Sequence, residues 1–129
     1  MKNFQYTTKT SKPFDAAVQA LEKRTAEHGF SVLHTHDVAA TLASKGFARE
    51  PLKIVEICNA RYANEALKRD PAVAVMLPCP ISVYTQGGET FISTMLPSSL
   101  AEFYPNSGLE AIATEVEKAV LEIIDEAKA

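Results

Sequence analysis

The sequence has no tryptophan and only two cysteines and five glycines among its 129 residues. Two thiols cannot supply the several disulfides that hold a small secreted scaffold together. The longest apolar run, from Ala72 to Ile81, is about half as long as the roughly 20 residues of a spanning helix, and it contains two prolines. The sequence therefore predicts neither a disulfide scaffold nor a membrane protein.

The chain also lacks an excess of positive charge. Its 13 basic and 16 acidic residues are interspersed and give a net charge of −3. No basic stripe is present to neutralise phosphates, so nucleic acid is not an expected partner. The first twelve residues lack the apolar stretch of a secretory leader, so we expect a cytoplasmic protein with Cys58 and Cys79 reduced.

What remains is the composition of a globular protein, with 47% hydrophobic and 22% charged residues. A chain of this length is expected to form one domain, residues 1–129, around one core. Hydrophobic periodicity and turn residues predict its elements. They are a strand Phe4 to Thr8, a helix within Ser11 to Gly29, a strand Phe30 to Asp37, a short helix between Asp37 and Gly46, a strand Leu52 to Cys58, a helix from Asn59 to Asp70, a hairpin Pro80 to Met95 and a helix Leu109 to Ala127.

Local signals mark several of these boundaries. Ser11, Asp37 and Asn59 are candidate N-caps, and Ser107 with Glu110 has the spacing of a capping box. Gly87-Gly88 can adopt the positive φ angles of a tight hairpin turn. The order predicts an α+β domain with a mainly antiparallel sheet and helices on one face, the last helix packing through Leu109, Ile112, Val116, Ala119, Val120 and Ile123.

One face of the predicted hairpin points away from the helices, and its residues indicate whether the protein forms an oligomer. Alternation assigns Ser82, Tyr84, Ile92 and Thr94 to it, and half of these residues are apolar. A partner subunit, a ligand or the short helices could cover such a face, and we expect a homodimer.

Two blocks of sequence resemble the domain of unknown function 302 family. The first is "GFSVLHTHDVAATLASKG", Gly29 to Gly46, and the second runs from "IVEICNARYANEALKRDP" to "LPCPISVY", Ile54 to Tyr84. The similarity extends over nearly the whole chain, although Ala60 stands where that family often has proline. The resemblance implies a small bacterial or archaeal α+β domain with a β-α-β(4)-α core similar to that of the TATA-box-binding protein, without its nucleic-acid role. It implies no reaction.

Cys58 is the strongest chemical candidate in the chain. If Asn59 caps the following helix, the free amides and the positive end of the helix dipole lie near the sulfur and can lower its pKa. Cysteine is also a small hydrophobe that commonly ends a buried strand. The residues favour packing over reactivity but leave both interpretations open.

Cys79, Asn59 and two histidines complete the candidate ligand-binding set. Cys79 should share a side of its strand with Ile81 and Val83, and two thiols alone make an incomplete zinc site, so no metal is expected. His34 and His36 should share the face of Phe30 and Val32. They could act as acid and base or bind a metal, or simply lie at an exposed strand end.

Glu56 interrupts an apolar strand two residues before Cys58. It must reach solvent, pair with a base such as Lys53 or Arg61, or face a cavity, because burying an unpaired carboxylate is costly. With Cys58 and a histidine it would also meet the requirements of a nucleophile with a base. Two functions follow: a homodimeric ligand-binding or assembly domain, or a thiol-dependent enzyme or sulfur or metal carrier that uses Cys58.

Overall fold

The structure, a computed structural model, describes residues 3–129. These residues form five strands, five α-helices and one 3₁₀ segment. They are β1 (Gln5–Thr10), α1 (Phe14–Glu27), β2 (Ser31–Asp37), α2 (Val38–Ser44), β3 (Leu52–Cys58), α3 (Ala60–Arg69), the 3₁₀ segment Pro71–Met76, β4 (Cys79–Gln86), β5 (Glu89–Met95), α4 (Ser98–Phe103) and α5 (Glu110–Lys128).

The five strands form one sheet in the order β1-β5-β4-β3-β2, and every neighbouring pair is antiparallel. Strands β4 and β5 are joined by Gly87 and Gly88, whose φ angles of 61° and 83° match the predicted tight turn. Removing the short helices leaves the order β-α-β(4)-α. The predicted α+β class and its antiparallel sheet are therefore confirmed.

Helices α1 and α5 cover one face of the sheet, which we call the helix face. The main core lies there, because alternate residues of the strands meet the apolar stripes of both helices. Its fully buried members include Leu21 of α1, Val55 and Ile57 of β3, Ile81 and Val83 of β4, Ile92 of β5, and Val120, Ile123 and Ile124 of α5. The predicted stripe of the last helix is confirmed, with Leu109, Ile112 and Val116 also buried.

The opposite face of the sheet, which we call the open face, carries a stacked aromatic pair. The rings of Tyr84 and Phe91 lie 5.5 Å apart. The assignment of Ile92 and Thr94 to this face was wrong, because both are buried on the helix face. In the observed register Ile92 pairs with Val83 and Thr94 with Ile81, so β5 presents Phe91 and Ser93 to the open face instead.

Local capping was predicted correctly at two helices and incorrectly at two others. Asp37 Oδ1 accepts the amide hydrogen of Ala40, and Asn59 Oδ1 accepts those of the first turn of α3. Helix α1 instead starts after Pro13, without a side-chain cap from Ser11. The hydroxyl of Ser107 donates to Asp70 at 2.6 Å, so it serves the end of α3 rather than the start of α5.

None of the helices within residues 3–129 combines the length and apolar character needed to cross a bilayer. The longest, α5, runs over 19 residues, and its exposed side carries several charged residues. Its apolar residues belong to the main core.

Candidate functional site

A cavity of about 60 Å³ lies at one end of the sheet, between the main core and a smaller hydrophobic cluster. The smaller cluster, here called the satellite core, joins α3, the 3₁₀ segment, α4 and the start of α5. Its members are Ala66, Val73 and Leu109, with Leu77, Leu100, Ala101 and Tyr104 packed against them. Because the two clusters are built from different elements, the space between them is incompletely filled.

The walls of the cavity are almost entirely apolar. The main core contributes Phe30, Ile57 and Val116, and the satellite core contributes Leu100 and Leu109. Both cysteines line the same space, together with Asn59 and Tyr62. A concave apolar site with few polar groups is the usual form of a small-molecule site in proteins.

Cys58 is the last residue of β3, and Asn59 begins the turn into α3. The side-chain oxygen of Asn59 accepts hydrogen bonds from the amides of Arg61 and Tyr62, at 3.0 and 3.3 Å. Its amide nitrogen donates to the carbonyl oxygen of Gly29 at 3.3 Å, which ties the start of α3 to the turn before β2. Asn59 thereby fixes the position of Cys58 beside the N-terminal end of α3.

The sequence left open whether the helix N-terminus would lower the pKa of the Cys58 thiol, and burial has the larger effect. Burial raises the pKa of the Cys58 thiol above its ordinary value. The physical reason is that Asn59 already accepts the amide hydrogens of Arg61 and Tyr62, while the sulfur loses water at the cavity wall. Cys58 is therefore held as a neutral thiol at neutral pH.

Cys79 begins β4 and pairs with Ile57, the neighbour of Cys58. Its side chain packs against the main core, on the side of Ile81 and Val83 as predicted. Burial, with a smaller effect of the Cys58 charge, raises the pKa of the Cys79 thiol to about 11. Both cysteines are free, and the pairing of Cys79 with Ile57 places them on adjoining strands at the same end of the sheet.

The two predicted histidines and Glu56 do not line this cavity. His36 Nε2 is 3.4 Å from Glu56 Oε1, and the rings of His34 and His36 meet edge to face with centroids 4.3 Å apart. The structure thus brings these three side chains together on the open face. Neither Lys53 nor Arg61 is the partner of Glu56 in this arrangement, and the residues lining the cavity include no carboxylate or imidazole.

A β-bulge explains why the predicted face of the histidines was wrong. Val32 pairs with Ile57 but His34 pairs with Glu56, so Leu33 is an extra residue in β2. An inserted residue reverses the alternation of side chains beyond it. Val32 consequently packs against the main core, whereas the histidines join Glu56 on the opposite face.

Several residues of the cavity wall were not predicted as site residues. The most informative are Met76 at the end of the 3₁₀ segment and Met95 at the end of β5. Leu77 and Pro78, joined by a cis peptide bond, follow Met76 in the same wall. The apolar run before Cys79 was a signal that this segment is enclosed, but nothing in it indicated which elements would lie opposite.

Residues 3–129 contain no cluster of three or more histidine, cysteine, aspartate or glutamate side chains arranged to hold a metal ion. The observed set around the cavity is instead two thiols within an apolar wall. Such a site can enclose a small uncharged group and hold it in contact with the sulfur atoms of the two cysteines.

The fold and site define a class of small α+β domain, with one antiparallel sheet covered on one face and an apolar cavity at its end. The family model described as "Domain of unknown function DUF302" matches residues 6–127. The chain belongs to this family.

A solved structure gives the same fold. The crystal structure of a conserved DUF302 protein from Bacillus stearothermophilus superimposes with a TM-score of 0.92 and 30% sequence identity, covering 98% of this chain and 99% of that chain. No curated protein matches the chain. The resemblance seen in the two sequence blocks is thus confirmed, and it extends to the whole described fold.

Proposed function

We propose that this chain is a cytoplasmic, homodimeric ligand-binding domain whose cavity takes a small apolar or sulfur-containing molecule. The observation that carries the proposal is the apolar cavity between the main core and the satellite core, with Cys58 and Cys79 in its wall. Close packing is normal in protein interiors, and unfilled space of this kind costs stability. A binding role accounts for its presence.

The size of the cavity restricts the ligand. A volume of about 60 Å³ is well below the roughly 300–1,000 Å³ of pockets that bind drug-sized molecules. It suits a group of a few heavy atoms. A larger ligand would require the satellite core to move away from the main core, and the short elements that form it are the part of the fold best able to do so.

A second candidate function is thiol chemistry at Cys58, as a thiol-dependent enzyme or a sulfur or metal carrier. Its supporting observation is that Cys58 and Cys79 line one cavity rather than separate parts of the core. Glu56, His34 and His36 lie on the open face, and among residues 3–129 no carboxylate, imidazole or amine lines the cavity to act as a base for the sulfur. The geometry therefore fits a sulfur or metal carrier better than it fits a thiol-dependent enzyme.

The proposed dimer uses the open face, and a second copy of this chain is its occupant. Five strands about 4.8 Å apart, each rising about 3.4 Å per residue, span roughly 500 Å² in projection. Because the side chains project from this plane, the accessible area of the face is larger than its projection. It approaches the area of about 800 Å² that each partner contributes to a stable interface. Tyr84 and Phe91 supply an apolar centre, and the ion pair of Lys9 with Glu89 places both signs of charge beside it.

Binding to the cavity is tested by titrating the protein with dimethyl sulfide while methyl resonances are followed by NMR. We expect saturable shifts for methyl groups of the cavity wall, including Met76, Met95 and Val116. Native mass spectrometry of protein purified without denaturation adds a search for a retained ligand or cysteine adduct. Shifts spread evenly over the molecule would contradict a defined site.

A pair of variants on α3 controls this experiment. Ala63 lines the cavity, so Ala63→Phe should fill it and abolish saturation. Ala60 is exposed on the same helix and does not line the cavity, so Ala60→Phe should bind as the original protein does. Equal binding by both variants would place the ligand elsewhere.

A further inference from the structure

Sulfur is concentrated at this cavity. Cys58, Cys79, Met76 and Met95 all line it, and apart from Met1 they are the only sulfur-containing residues of the sequence. Four separate elements bring them there: the end of β3, the start of β4, the end of the 3₁₀ segment and the end of β5. Among the other lining residues, Asn59 already uses its side-chain oxygen to cap α3.

We propose that the cavity is a binding site for a soft monovalent metal ion, Cu(I), with the thiolates of Cys58 and Cys79 and the thioethers of Met76 and Met95 as its ligands. Thiolate and thioether sulfur are the protein ligands that select Cu(I), whereas Mg²⁺, Ca²⁺ and Mn²⁺ prefer oxygen. This inference rests on the proposed ligand-binding role of the cavity and on the carrier form of the second candidate function, and it names the ligand.

The position of the two thiols suits a shared ligand. Cys79 pairs across the sheet with Ile57, the residue next to Cys58, so the two cysteines lie on adjoining strands at the same end of the sheet. Met95 ends β5, the strand on the other side of β4. A single ion between β3, β4 and β5 can therefore be reached from three neighbouring strands, with Met76 approaching from the 3₁₀ segment.

The size of the site and the balance of the binding step agree with this occupant. A cavity of about 60 Å³ has room for one ion between the sulfur-containing side chains of its wall without opening the satellite core. On binding, the two S–H bonds break and both protons leave to solvent, while Cu(I) releases its previous ligands and forms two Cu–S bonds to the thiolates and two to the thioethers. Copper stays in the +1 state, so no oxidant or reductant is needed. The complex of one Cu(I) with two thiolates and two thioethers has a charge of −1.

Silver(I), which has the same ligand preference and does not change oxidation state, gives the most direct test. The methyl group of every methionine is labelled with ¹³C, and Ag(I) is added to the reduced protein. We expect saturation at one ion per chain, with large shifts of the Met76 and Met95 resonances. Unchanged resonances of both methionines, or two independent ions per chain, would overturn the proposal.

Cysteine variants connect these shifts to the thiols. In Cys58→Ser/Cys79→Ser, the methionine resonances should no longer respond to stoichiometric Ag(I). For Cu(I) itself, competition with bicinchoninate without oxygen should show at least a tenfold weaker affinity for Met76→Leu/Met95→Leu than for the original protein. Affinity equal to that of the original protein would eliminate the thioether ligands and overturn the site as proposed.

The two functional proposals fail separately. Dimethyl sulfide binding without Ag(I) binding would reject the metal site and leave the small-molecule site intact. Ag(I) binding without dimethyl sulfide binding would support the metal site and reject the small apolar ligand. Circular dichroism is used to check that every variant is folded. Ala63→Phe, which fills the cavity without removing sulfur, should weaken the binding of both ligands.

Discussion

Cys58 and Cys79 line one cavity, although twenty residues and two helical segments separate them in the chain. The antiparallel pairing of β3 with β4 produces this proximity, because Ile57 lies opposite Cys79. The first cysteine ends its strand and the second begins the next one, so both lie where the satellite core meets the sheet. Their reactivity should therefore report the state of the cavity.

Alkylation at neutral pH should modify Cys58 faster than Cys79. The pKa of Cys79 is raised to about 11, and each unit of pKa lowers the reactive thiolate fraction roughly tenfold. Peptide mapping after partial reaction with iodoacetamide measures both rates, and Cys58→Ser and Cys79→Ser give each rate alone. If both residues react equally slowly, the two thiols are equivalent core residues and the thiol-based function should be abandoned.

The stability of the protein should fall as the pH rises from about 9 to about 11. The ordinary pKa of a thiol is near 9, so the unfolded chain releases the Cys79 proton first, while the folded chain keeps it until about pH 11. Folding is then favoured fully below pH 9 and loses about 1.4 kcal/mol per unit above it. The raised pKa of Cys58 acts in the same direction.

Urea unfolding at a series of pH values measures this effect. Cys79→Ala removes the titrating thiol, so its free energy of unfolding should depend less steeply on pH between 9 and 11 than that of the original protein. Lysine and tyrosine residues also titrate in this pH range, but they contribute equally to both slopes. Their contribution therefore cancels in the difference between the two proteins. Parallel slopes would show that Cys79 is not protonated to high pH.

Val116→Asp should unfold the domain or destabilise it by several kcal/mol. Val116 is 9% exposed, packs in the main core and lines the cavity, so a carboxylate there would be buried without a partner. The loss is comparable to the whole stability of a small domain. Thermal unfolding followed by circular dichroism measures it, with Thr114→Asp on the exposed side of α5 as the control. An unchanged melting temperature for Val116→Asp would contradict the observed packing.

Sedimentation at tens of micromolar protein should give about twice the chain mass of 14.0 kDa. Phe91→Lys places a charge at the centre of the proposed interface and should shift the protein towards monomer. Phe103→Lys changes an exposed phenylalanine on α4, which packs against α5 and is not part of the sheet, and should leave the dimer intact. A mass near that of one chain for the original protein would reject the dimer.

The sequence predicted those parts of the fold that depend on local signals. Asp37 and Asn59 cap their helices through contacts with residues two or three positions away, and Gly87-Gly88 forms its turn without help from the rest of the chain. Such interactions are contained within a short window. For the same reason the boundaries of β3 and the stripe of α5 were correct.

The errors arose where a distant contact decides the outcome. The bulge at Leu33 moves His34 and His36 to the open face, and only the pairing with β3 reveals it. Ser107 had the spacing of a cap, but Asp70, 37 residues away, accepts its hydrogen bond. The cavity itself depends on how two hydrophobic clusters meet, so its methionines could not be assigned from periodicity.

A crystal of the protein exposed to xenon under pressure tests the cavity most directly. Xenon occupies dry apolar cavities and needs no specific polar partner. We expect one principal xenon site at the end of the sheet, in contact with Ile57, Val116 and the sulfur of Cys58, and we expect it to be lost in Ala63→Phe. An empty site at this position in the original protein, with xenon bound elsewhere, would contradict it.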